Sequence, residues 1–167
     1  YFFFFLSFAL MMFGPANPNN ANDNTSGVVA VLNMLKMLPQ ANRSDVCFVL
    51  FDLEEMRLVG SKSYQKAHKD ATQKQIVLNL DCVGDGDTIL AFPTKQLRKS
   101  EPGMGRLSKL NGSCKEKSVR VHERGFYVYP SDQRNFPYGV GIAAFRKNKY
   151  FGYYCDRIHT KRDTILD

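Results

Sequence analysis

Residues 46–51 read Val-Cys-Phe-Val-Leu-Phe, and the run then turns acidic at Asp52, Glu54 and Glu55. No other stretch restricts the fold so tightly. A short run that is apolar at every position predicts a strand buried on both faces, which belongs to a parallel sheet covered by helices. In open α/β sheets, ligands sit beyond the carboxyl ends of such strands. Neighbouring carboxylates in that position are costly to desolvate unless a cation shares the site. Residues 76–80, Ile-Val-Leu-Asn-Leu, repeat the design by running into Asp81 before Gly84, Asp85, Gly86 and Asp87 turn the chain. The two strand ends are expected to set Glu54, Glu55 and Asp81 along one rim.

Two further stretches supply donors of the same chemistry. Residues 22–27, Asn-Asp-Asn-Thr-Ser-Gly, carry Asp23, and His159 lies near the end of the chain. Several carboxylates with one imidazole form a ligand set suited to zinc or another divalent ion. Asp23 has a plainer reading as well. Asn24, Thr25 and Ser26 are N-cap types, and apolar residues at 28, 31, 32, 35 and 38 follow at helical spacing before Pro39. An acid just ahead of that helix would be stabilised by its N-terminal dipole alone.

At 167 residues the chain is expected to form one domain with a sizeable core. Its net charge of +7 is concentrated between Lys95 and Arg124, where nine Lys and Arg face three Glu. With no interleaved aromatics for base stacking and no nucleic-acid motif, this stretch reads as a solvated face rather than a nucleic-acid site. Cys47, Cys82, Cys114 and Cys155 include no Cys-x-x-Cys pair, which argues against a zinc ribbon or a thioredoxin-type centre. Cys47 and Cys82 lie in or beside expected strands, the usual place of a buried thiol.

In chain order, residues 1–13 are almost wholly apolar, with four consecutive phenylalanines. They read either as a signal or membrane remnant, with membrane association through the N-terminus, or as a buried first strand. Residues 61–67 predict a helix, and 69–75 return the chain to the strand at 76–80. Further strands are expected at 88–92, 118–121, 126–129, 140–145 and 150–154, with some helix around 106–110. The alternation of helix and strand predicts right-handed crossovers and parallel pairing.

Four motifs in order carry a resemblance: residues 22–27; Phe-Asp-Leu-Glu-Glu at 51–55 with Leu-Val-Gly-Ser at 58–61; Asn-Leu-Asp at 79–81; and Ile-His-Thr-Lys-Arg-Asp-Thr at 158–164. On these, the chain closely resembles zinc-dependent exopeptidases of the bacterial leucyl aminopeptidase and aminopeptidase Y type, whose fold the glutaminyl cyclases share. The resemblance implies an α/β three-layer sandwich over residues 14–167, with a mostly parallel mixed central sheet flanked by helices. It implies a peptide substrate with a free N-terminus and zinc as cofactor. Asp23 would bridge two zinc ions, Glu55 and His159 would bind the first and Asp81 the second, with Glu54 as general base. Relatives are often exported or membrane-tethered, so an extracellular or tethered location is expected.

The chain also departs from that pattern. The family's remaining ligand is a histidine in a His-x-Asp motif just upstream of the bridging aspartate, and residues 8–13 hold none. Two zinc ions are expected from the family and one from Asp23, Glu55 and His159 alone; a missing N-terminal portion is the other explanation. His68 and His122 read as surface residues. Ser131, Asp132 and Gln133 stand where relatives carry Ser-Asp-His, and read as a substrate-side loop or as a satisfied turn. The alternatives to an aminopeptidase are a one-zinc enzyme of glutaminyl-cyclase type and a non-catalytic binding or membrane-associated domain.

Overall fold

Strand β4 (Gly139–Asn148) is the spine of the molecule, because three other strands pair with it. Parallel to it runs β1 (Val77–Leu80), and antiparallel to it run β2 (Thr88–Pro93) and β5 (Gly152–Tyr154). The outermost strand, β3 (Ser118–Val121), pairs parallel with β2 and completes the order β1-β4-β2-β3. The computed structural model describes residues 2–13, 17–115, 117–122, 129–150 and 152–164. The helices are α1 (Phe2–Phe13), α2 (Gly27–Met37), α3 (Val59–Ala67), α4 (Lys69–Thr72), α5 (Lys95–Arg98) and α6 (Glu101–Leu107). The fold is therefore α/β, with a mixed central sheet flanked by helices, as the sequence predicts.

Strand alternation divides the core into two faces. Leu90 and Phe92 of β2 join Ala143 and Phe145 of β4 on one face, with Tyr129, Tyr153 and Cys155 packed against them. Ala91 and Val140 point the other way, beneath Leu97 of α5 and Leu107 of α6. Burial on both sides is why β2 and β4 read as continuous apolar runs. A fully buried leucine contributes about 2 kcal/mol here. The strand expected at 126–129 falls largely on residues 126–128, outside those described.

The run at 46–51 corrects the expectation. It enters no strand ladder among the described residues, and Val46, Leu50 and Leu53 stay exposed. An apolar run becomes a strand only where a neighbour satisfies its backbone donors and acceptors. Here β1 is paired with β4, and the run meets no such neighbour. Side chains hold it instead: Phe51 packs on Tyr64 of α3 and Phe136, with centroids 5.5 and 5.9 Å away. Gly60 permits the close approach, since a Cβ there would lie 2.2 Å from the Asp52 carbonyl oxygen.

Residues 2–13 form helix, not the alternative opening strand. The phenylalanines at 2 to 5 are exposed, and among the described residues no helix is long and apolar enough to cross a membrane. Parallel pairing also proves incomplete, because β2 and β5 both oppose β4 in direction.

Candidate metal centre

Two loops at the carboxyl end of β1 are laced together by side chains. In the turn Ala21–Ser26, Asp23 and Asn24 leave helical geometry, and the peptide between them is cis. Asn22 Oδ1 accepts from the backbone N–H groups of Gly84 (2.8 Å) and Asp85 (3.1 Å). Asn24 Oδ1 accepts from those of Cys82 (3.2 Å) and Gly27 (3.1 Å), so it caps α2 as well. Val83 N–H donates to Ser26 Oγ at 3.0 Å. Gly27 makes the contact feasible, as a Cβ there would stand 2.3 Å from the Leu80 carbonyl oxygen. These bonds set Asp23 beside Asp81 without any strand pairing.

The C-terminal loop joins from the other side. Asp163, 2% exposed, accepts from Asn22 N–H at 2.7 Å and Asp23 N–H at 2.9 Å, one on each carboxylate oxygen. Arg157 Nε lies 3.5 Å from Asp85 Oδ2, and Arg146 pairs with the other oxygen of Asp85. Between these anchors His159 adopts φ 57°, a left-handed conformation that is strained for a histidine. Its Nε2 then lies 3.1 Å from Asp23 Oδ2 and 3.1 Å from Glu55 Oε1.

One ring nitrogen carries at most one proton, so it can donate to only one of two carboxylates. Two carboxylate oxygens and an imidazole nitrogen gathered round one point are a donor set that a divalent cation satisfies. Asp23, Glu55 and His159 thus fit zinc, and their partial exposure leaves access for a further ligand. The first N–H of α2, that of Gly27, donates to Asn24 rather than to Asp23.

Asp23 also belongs to a second group with Asp81 and Cys82, whose ligand atoms all lie within 4.8 Å of one another. Glu54 enters neither group. Burial, then the charges of Glu55, Asp81, Asp132 and Asp23, push its carboxyl up to about 7. His159 is pushed up to about 9, chiefly by its hydrogen bond to Asp23, against the opposing effect of burial. Glu54, Glu55 and Asp81 do converge, although not as ends of adjacent strands.

Ser131, Asp132 and Gln133 turn inward. Ser131 and Gln133 accept from Asn79 of β1 at 2.9 and 3.1 Å, and Ser61 of α3 donates to Asp132. Gln133 also lines a cavity of about 410 Å³ with Phe92, Tyr129 and Arg98. His68 is exposed, whereas His122 is half-buried with its ring 5.2 Å from Phe92; neither joins a donor group. Asn22, Asp85 and Asp163 are the residues that sequence reasoning left without a role. The one available signal was Asp163's place in the 158–164 motif, but an acid beside Lys161 and Arg162 looks solvated.

The donor set is of a kind that metal-dependent enzymes use. Over residues 10–167 the chain matches peptidase family M28, and it belongs to that family of metallopeptidases, which are typically zinc-dependent and act on peptides. No curated protein matches it.

Proposed function

We propose that this protein is a zinc aminopeptidase, removing N-terminal residues from peptides at the site formed by Asp23, Glu54, Glu55 and His159. The observation that carries the proposal is the single imidazole nitrogen standing 3.1 Å from carboxylate oxygens of both Asp23 and Glu55. Asp23, Glu55 and His159 would hold one ion, and Asp81, with Asp23 shared, would serve a second. Bound zinc supplies Lewis acidity, lowering the pKa of water and polarising a carbonyl.

The chain's own groups divide the remaining work. Glu54 is adjacent to a ligand yet outside the ligand set, so its carboxylate is available to a proton. A carboxylate left free beside the ligands suits a group that must both take and return one. Glu54 accepts the proton of the attacking water and passes it to the departing amine.

The test is release of chromophore from aminoacyl anilides by the zinc-loaded protein. Glu54→Gln is expected to lower kcat by about 10²- to 10⁴-fold while zinc affinity stays unchanged. Zinc binding with no turnover in the unsubstituted protein refutes the proposal, and so does equal cleavage of N-acetylated peptides.

A further inference from the structure

Asp85 belongs to neither donor group, yet it touches both loops that carry ligands to the site. Its backbone N–H donates at 3.1 Å to Oδ1 of Asn22, the neighbour of Asp23 in the chain. Its buried carboxylate reaches the other loop: Oδ2 lies 3.5 Å from Nε of Arg157, just ahead of His159, while Oδ1 accepts from Arg146 of β4. Arg157 opens the turn that presents the imidazole, since its carbonyl oxygen accepts from the N–H of Thr160 at 3.1 Å and from Thr160 Oγ1 at 2.6 Å. Asp85 therefore ties the two loops together.

We propose that Asp85 is a positioning residue for His159, gripping Arg157 so that the imidazole stands against Asp23 and Glu55. This rests on the metal-dependent reading above, in which Asp85 acts through the histidine and is no ligand itself. His159 takes φ 57°, and a strained left-handed residue persists only where its surroundings over-determine it. Asp163 fixes the far end of that segment to the N–H groups of Asn22 and Asp23, and the near end depends on Arg157. A guanidinium beside a buried carboxylate is held there only while the carboxylate keeps its charge. Once that charge is gone, Arg146 and Arg157 are like charges beside one neutral residue, and they repel. Asp156, 3.6 Å from Arg146 Nε, still serves that arginine, whereas no other acid pairs with Arg157 among the described residues. The near end of the turn then loses its anchor.

The chain has three histidines, so NMR of the imidazole Cε1–H signals of the full chain tests this, with His159→Ala identifying the His159 signal by its loss. In the metal-free protein, Asp85→Asn is expected to shift the His159 signal towards that of a free imidazole while those of His68 and His122 stay in place. Zinc titration is expected to shift the same signal in the parent, and Asp85→Asn should raise the zinc concentration for half of that shift by about 10- to 100-fold. Arg157→Gln should reproduce both effects, which covers the case in which Asp85→Asn fails to fold. A His159 signal that stays where it was, or movement of all three signals together as general loosening gives, overturns the proposal. If zinc shifts no signal in the parent, the metal-dependent reading fails; a His159 signal that still moves alone in Asp85→Asn then upholds the grip on the ring by itself.

Discussion

The loops that hold Asp23, Asp81 and His159 and the run that delivers Glu54 and Glu55 are built on opposite principles. The first group is fixed by side chains that bond to backbone: Asn22, Asn24, Ser26 and Asp163 each satisfy N–H groups of another loop or of the α2 cap. The second is an extended run that joins no strand ladder, anchored through Phe51 and the close approach of Gly60. Buried polar networks specify one geometry, because each unsatisfied group costs free energy, whereas apolar contacts tolerate shifts. The donors that must agree within tenths of an ångström are thus mostly on the polar network, with Glu55 the half-exposed member brought to them.

That contrast can be broken deliberately. Asp163→Ala removes both bonds to the Asp23 loop and is expected to cost about 3 kcal/mol in urea denaturation. It should also weaken zinc binding by about 10- to 100-fold, as loss of an outer support does. Asn22→Ala leaves the N–H groups of Gly84 and Asp85 without their acceptor and should cost about 2 kcal/mol.

Asp132 sharpens the comparison further. Burial raises its carboxyl above the ordinary value, outweighing the hydrogen bond from Ser61. A folded-state value above the unfolded one means its contribution to stability is fully present below the unfolded value, near 3.9, and is lost as pH rises through the folded one. Asp132→Asn keeps an acceptor for Ser61 without the charge. Its stability relative to the parent should therefore be least favourable at low pH and improve as pH rises towards 7, whereas Asp132→Ala should be destabilised at every pH. The smallest effect is expected for Leu50→Ser in the exposed run, within about 0.5 kcal/mol of the parent.

Much of this was legible in the sequence. Strands that are buried on both faces, such as β2 and β4, announce themselves by continuous apolarity. Asp23, Glu55, Asp81 and His159 were found through motifs, and the structure brings them together. The run at 46–51 carries the same apolar signal yet joins no ladder, because pairing depends on a neighbour that local composition does not encode. The lacing residues were illegible for a related reason. An asparagine or aspartate that bonds to a backbone some sixty or more residues away looks the same in sequence as one that caps a local turn. Cys82 reads as a core thiol and is fully buried, whereas Cys47, which carries the same signal, is exposed.

Asp23, Glu55 and His159 are expected to close on a single ion. Diffraction from zinc-soaked crystals at the zinc absorption edge addresses it directly. An anomalous peak is expected about 2.0–2.2 Å from Asp23 Oδ2, Glu55 Oε1 and His159 Nε2. A map at saturating zinc with no peak among these three atoms, or with peaks only at other sites, would contradict it.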